Sequence, residues 1–138
     1  MNPAAGQGVA RSSPTAGDVY HDGDAAAERA LEYLEMGYPA IKQDPAGPYS
    51  FQGGRELSLH ELARSEYNAR RIREAVGDRA DILFGTHGQM TTSSAIRLAR
   101  RLEPYDPHGF EEPCPPDQKE AIGRGAASTR IPVATGER

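Results

Sequence analysis

Helix-like and strand-like periods alternate along most of this chain, and that alternation restricts its fold more than any other feature. Asp24 can cap a helix running to about Met36, with Ala27, Ala30, Leu31 and Leu34 at helical spacing and Gly37 as its stop. Tyr38 to Asp44 is a short strand-like run closed by Pro45, and a loop with Gly47, Pro48, Gly53 and Gly54 follows. Ser58-Leu59-His60-Glu61 then spells a capping box, in which the Ser and Glu side chains satisfy each other's free backbone N–H groups. Leu62, Ala69, Ile72 and Val76 make one apolar face, and Gly77 ends it. Asp81 to Phe84 suits a strand buried on both faces. Thr91 to Ser93 can cap a third helix with Ala95, Leu98, Ala99 and Leu102 on its face, stopped by Pro104.

Phe110 to Pro113 is a very short strand candidate. Asp117 and Glu120 can open a fourth helix, which Gly123 and Gly125 weaken by ~1 kcal/mol each. Ile131 to Thr135 reads as a last strand. Helices alternating with strands imply βαβ units and a parallel sheet, either a barrel or an open doubly wound sheet.

The chain has 138 residues, enough for one domain and too few for a complete (β/α)₈ barrel of roughly 250. Leu, Ile, Val and Phe total 21, and Trp is absent, so the core is thin. A net charge of −4 is too small for the composition of a disordered chain. It also argues against a nucleic-acid partner, which calls for a clearly basic domain. No apolar run approaches a membrane span and no signal peptide opens the chain, so a cytoplasmic protein without a membrane partner is expected. The single Cys114 excludes an internal disulfide. Met1 to Gly17 has no apolar period, so residues 1–18 are expected to be a disordered tail before a folded domain at 19–138.

Polar residues cluster where the strand candidates end. Asp44 ends the first, Gly85-Thr86-His87-Gly88-Gln89 follows the second, Glu111 lies in the third, and Glu137 follows the last. From position 85 to 111 is 26 residues, and from 111 to 137 is 26 again. A constant step is what repeated βα units give, and it brings these positions to one face, where barrel active sites lie. Carboxylates converging there are hard oxygen ligands suited to Mg²⁺ or Mn²⁺.

Phe110-Glu111-Glu112-Pro113, followed by Ile131-Pro132-Val133-Ala134-Thr135-Gly136-Glu137-Arg138, resembles the enolase superfamily, and within it the mandelate racemase and muconate lactonizing enzyme group. Gly37 to Lys42 is similar to that group's second barrel strand and Ile82 to Gln89 to its third, the latter most like sugar-acid dehydratases of the galactonate dehydratase kind. The resemblance spans about Val19 to Arg138. It implies a modified (β/α)₇β barrel joined to a capping domain. It also implies a metal, usually Mg²⁺, held by three carboxylates, and an enediolate formed when a base removes the proton alpha to a substrate carboxylate. By position, Glu111 and Glu137 match the second and third metal ligands.

The first ligand position falls at Gly85, which has no ligand side chain; Asp44 or His87 could compensate. His87 matches the general acid that protonates the departing hydroxyl, a role suited to an imidazole of pKa ~6.5. Lys42 and Asp44 stand at the family's catalytic Lys-x-Lys pair; Lys42 can meet the substrate carboxylate, and Asp44 argues against racemases that use the second Lys as base.

The expected architecture is thus α/β, a partial TIM-type barrel with about five of eight parallel strands and the capping domain absent. The expected function is that of a fragment of a Mg²⁺-dependent sugar-acid dehydratase, inactive alone, with a sugar-acid substrate and a family habit of homo-oligomers. Alternatives are a racemase, epimerase or cycloisomerase of the same superfamily, a non-catalytic chain that needs a partner to fold, and, on weaker grounds, an independent α/β binding module.

Overall fold

The computed structural model describes residues 9–11, 22–47 and 54–136. Along the chain run β1 (Val9–Arg11), α1 (Gly23–Glu35), β2 (Ala40–Gln43), α2 (Leu59–Val76), β3 (Asp81–Gly85), α3 (Thr92–Leu102), a 3₁₀ turn (Glu103–Tyr105), β4 (Gly109–Glu111), α4 (Lys119–Ala127) and β5 (Val133–Ala134). The strands form one sheet in the order β1-β2-β3-β4-β5, every neighbouring pair parallel. The order never reverses, which sets aside the doubly wound sheet. This is a run of consecutive βα units, five strands of a TIM-type barrel.

β1 corrects one expectation. Val9–Arg11 falls inside the segment read as disordered, yet its backbone pairs with Ala40, Ile41 and Lys42 of β2. The rest of that tail lies outside the described residues. Strand pairing is made by backbone groups, so three residues without an apolar period can still extend a sheet whose neighbour is already formed.

The helix starts follow from capping. Ser58 Oγ accepts from Glu61 N at 3.2 Å and Glu61 Oε2 accepts from Ser58 N at 2.8 Å, the capping box expected from sequence. Thr91 Oγ1 accepts from Ser94 N at 3.2 Å and caps α3. In α1 the cap is Asp22, not Asp24: Asp22 Oδ1 accepts from Asp24 N at 2.9 Å and Ala25 N at 3.3 Å. Asp24 instead pairs with Arg71 of α2 at 2.5 Å. α4 starts after Gln118, which makes no side-chain cap bond. Pro104 sits in the first turn of the 3₁₀ segment that follows α3.

Burial alternates along the strands. Ile41, Ile82, Phe84 and Phe110 are buried in one cluster with Leu62, Ala69, Ile72 and Val76 of α2 and Ala95, Leu98, Ala99 and Leu102 of α3. Those helix residues are the two apolar faces read from sequence. Residues of the opposite parity, Lys42, Leu83 and Glu111, are only partly buried. β3 is therefore buried on one face and half-open on the other, because a barrel interior is covered only by the strands that close round it. Arg73 seals the end of the sheet where the strands begin. Its guanidinium donates to the carbonyls of Tyr105, Gly77, Ala80 and Asp106 at 2.8–3.1 Å. Among the described residues, no helix is long and apolar enough to cross a membrane.

Candidate active site

The register puts the singled-out residues on the inner face. Lys42 lies opposite Leu83, and Gly85 opposite Glu111. Side chains two apart on a strand share a face, so Lys42, Asp44, Leu83, Gly85 and Glu111 all belong to the barrel interior, at or near the C-terminal strand ends. Glu137 and Arg138 lie outside the described residues. The constant 26-residue step thus does bring positions 85 and 111 side by side.

His87 sits on the turn after β3 with φ +57°, a left-handed conformation unusual for a side-chain-bearing residue. The turn is held on both sides. Thr86 N donates to Glu111 O at 3.0 Å, and Gly88 N donates to Glu112 O at 2.7 Å. Thr86 Oγ1 also donates to Glu112 O at 2.8 Å. Gly88 has φ +67°, and a Cβ there would stand 3.1 Å from Cys114 O and 3.2 Å from Pro115 Cα. The Thr-His-Gly sequence is therefore a shaped turn that presents the imidazole, whose side chain is 40% exposed.

Behind His87 stands a buried carboxylate. Asp44 Oδ2 lies 3.5 Å from His87 Nδ1 and accepts from Gln89 Nε2 at 3.2 Å, and Asp44 Oδ1 accepts from Ala46 N at 2.8 Å. Burial pushes the Asp44 carboxyl above its ordinary pKa; the bonds from His87 and Ala46 pull partly against that shift. Gln89, 1% exposed, passes the network on: its Oε1 accepts from Arg55 Nη1 at 3.1 Å, and Arg55 pairs with Glu61 of the α2 capping box at 2.5 Å. A carboxylate against Nδ1 orients the ring and leaves Nε2 for proton transfer.

Asp44 and Lys42, read as one catalytic pair, separate here. Asp44 serves His87, while Lys42 Nζ donates to Glu111 Oε2 in an ion pair. The sequence reading gave no role to Gln89, Arg55 or Glu112. Glu112 is fully buried, and its Oε1 accepts from Thr135 Oγ1 at 2.7 Å and Gly136 N at 2.6 Å. It fixes the end of β5 just before Glu137. The only sequence signal for that role was a second Glu beside the first.

The three-carboxylate metal site implied by the resemblance is not what the described side chains build. Position 85 supplies no ligand, and Glu111 is engaged by Lys42. A Cβ at Gly85 would lie 2.6 Å from Lys42 Cε and 2.9 Å from Glu111 Oε2, so the movable ends of these two side chains lie where the missing ligand would project. Neither suggested substitute fills that place: Asp44 and His87 are turned toward each other. Among the described residues, no group of three His, Cys, Asp or Glu side chains is placed to hold a metal.

A consecutive parallel βα sheet with a carboxylate–imidazole pair at its C-terminal strand ends is the arrangement of a (β/α) barrel. Residues 25–138 match the family described as Enolase C-terminal domain-like, and the chain belongs to it. It is 38% identical over 117 residues to the D-gluconate dehydratase of Thermoproteus tenax, covering 85% of this chain and 23% of that enzyme. It is 36% identical over 118 residues to the D-galactonate dehydratase of Xanthomonas oryzae pv. oryzae (strain PXO99A), covering 83% of this chain and 29% of that one. Among solved structures, a protein from Labrenzia alexandrii DFL-11 assigned to the mandelate racemase/muconate lactonizing enzyme group superposes with a TM-score of 0.87 at 52% identity, over 96% of this chain and 35% of that one. The chain thus spans about a quarter of the length of these curated relatives.

Proposed function

We propose that this chain contributes the His87 half of the active site of a sugar-acid dehydratase, which removes water from an aldonate by alpha-proton abstraction through an enediolate. The observation that carries this reading is His87, presented on its turn and backed by the buried Asp44 carboxylate. An imidazole so placed can deliver a proton from Nε2 to the departing hydroxyl as the C–O bond breaks. The Lys42 ammonium, on the same inner face, is suited to a substrate carboxylate. The dehydratase relatives support the aldonate class. Asp44 beside His87, rather than a second lysine, disfavours a racemase that uses that lysine as base.

The base that removes the alpha proton is assigned to no described residue, so turnover belongs to a complete barrel containing this segment. The Mg²⁺ or Mn²⁺ requirement that the resemblance carries finds no support in the described side chains, where position 85 has no carboxylate and Glu111 is paired with Lys42.

The test is His87→Asn in such a complete protein. Dehydration is expected to fall by ~10²–10⁴-fold, the usual contribution of a general acid, while exchange of the alpha proton with D₂O persists. Loss of both together, or loss of neither, would count against His87 as the acid. The purified 138-residue chain is expected to release no water from any aldonate.

A further inference from the structure

Gly85 removes one negative charge at the place where a first carboxylate ligand would sit, and the Lys42 ammonium lies beside that place. The would-be Cβ at position 85 has Lys42 Cε at 2.6 Å and Lys42 Nζ at 3.4 Å. The lysine's side chain is only 14% exposed, and its ammonium holds Glu111, the one described carboxylate that a cation at this position would need. A divalent cation takes about six oxygen ligands and depends on carboxylates to offset its charge. A divalent cation sharing Glu111 with the ammonium already paired to it would meet like-charge repulsion.

We propose that Lys42 is the resident cation of this site, its ammonium standing in for the divalent metal by occupying the first ligand's place and neutralising Glu111. A divalent cation and Lys42 are then mutually exclusive at Glu111. The positive charge offered to a bound carboxylate or a developing oxyanion comes from an amine that needs no loading from solution. The inference stands independently of the dehydratase reading, since it concerns what fills the site rather than which substrate enters.

The chain carries its own control. Lys42 and Lys119 are its two lysines, and Lys119 is exposed. Acylation with N-hydroxysuccinimidyl acetate, read residue by residue by peptide mass spectrometry, is expected to modify Lys42 at least tenfold more slowly than Lys119. Addition of 5 mM Mg²⁺ should leave that ratio within twofold. Glu111→Gln should speed Lys42 acylation severalfold without changing Lys119. A Mg²⁺-dependent release of Lys42 that saturates at micromolar metal would overturn the proposal.

A second measurement does not depend on the amine chemistry. Mn²⁺ binding, followed by the paramagnetic resonance signal of the free ion, is expected to be at least tenfold tighter for the double variant Gly85→Asp with Lys42→Met than for the unaltered chain. The double variant returns the carboxylate and removes the ammonium. Equal affinities, or tighter binding by the unaltered chain, would show that Lys42 does not stand where the metal would.

Discussion

Asp44 Oδ2 and His87 Nδ1 lie 3.5 Å apart across the ends of two neighbouring strands, with the carboxylate buried and the imidazole 40% exposed. The pair joins a residue that reads as a strand terminator to one that reads as part of a glycine-rich turn. It is made by register: β2 and β3 pair Gln43 with Phe84, which places the residues just past each strand on one rim.

The burial of Asp44 carries a cost that depends on pH. Its folded pKa lies above the ordinary value, so the folded state binds more protons than the unfolded state just above pH 3.8. Stability from this group is therefore present below that value and declines as pH rises through the folded pKa. Asp44→Asn removes the slope and keeps an oxygen for Ala46 N. His87, Gln89 and Arg55, which face Asp44, are unchanged in that variant. Urea midpoints of the two proteins at pH 4 and pH 7 should shift in favour of the Asn variant at the higher pH. A shift the other way would mean that His87 stabilises the ionised carboxylate by more than burial penalises it.

Gly88 tests whether the turn is built for the imidazole. Its φ of +67° disfavours any side chain, and a Cβ would press on the backbone at Cys114 and Pro115, which cannot swing aside as a side-chain tip would. Gly88→Ala should cost about 1–3 kcal/mol. An unfolding midpoint equal to that of the unaltered chain would show that the turn accommodates a side chain at this position.

Much of this arrangement was legible before the fold was known, and the reason is local. The Ser58–Glu61 capping box, the Thr91 cap and the apolar faces of α2 and α3 are short-range patterns, and each is found where the sequence put it. The equal spacing of positions 85 and 111 was legible because a βα repeat converts a constant step into a shared face. What sequence could not show depends on partners far along the chain. Asp22 and Asp24 are equally good caps by type, and only the fold shows Asp22 at the cap and Asp24 paired with Arg71. β1 is placed by backbone pairing with β2, which no side-chain pattern announces. Gly85 looks like a missing ligand, and only the inner face of the sheet shows Lys42 beside it, paired with Glu111.

Arg73 clasps distant parts of the chain together outside the site. Four carbonyls, from the end of α2, the approach to β3 and the turn after α3, converge on one guanidinium. No other side chain offers that many donors in a fixed plane. Arg73→Met keeps the apolar stem and loses the fork, and should destabilise by about 2 kcal/mol. Arg73→Lys should recover less than half of that, because a single ammonium cannot reach four acceptors. Full recovery by Lys in urea unfolding would reduce the clasp to a charge effect.

The Arg55–Glu61 pair gives the molecule an acid limit that can be traced to one carboxylate. Arg55, first, and then the backbone N–H of Ser58 hold Glu61 down to a pKa of about 2, against an ordinary 4.5. The unfolded state binds the extra proton between those values, so stability rises with pH across that window, is complete above about 4.5 and is lost as pH falls toward 2. Because Glu61 is partly exposed, solvent screening limits the effect to about 1 kcal/mol. Glu61→Gln should lower the urea midpoint at pH 7, leave it nearly unchanged at pH 2.5, and flatten the acid limb between. The same substitution releases Arg55, the partner of Gln89, so a parallel change in the Asp44-dependent pH slope would show that the capping box and the His87 rim are one network. An unaltered slope in Glu61→Gln would confine the effect of Arg55 to the helix end.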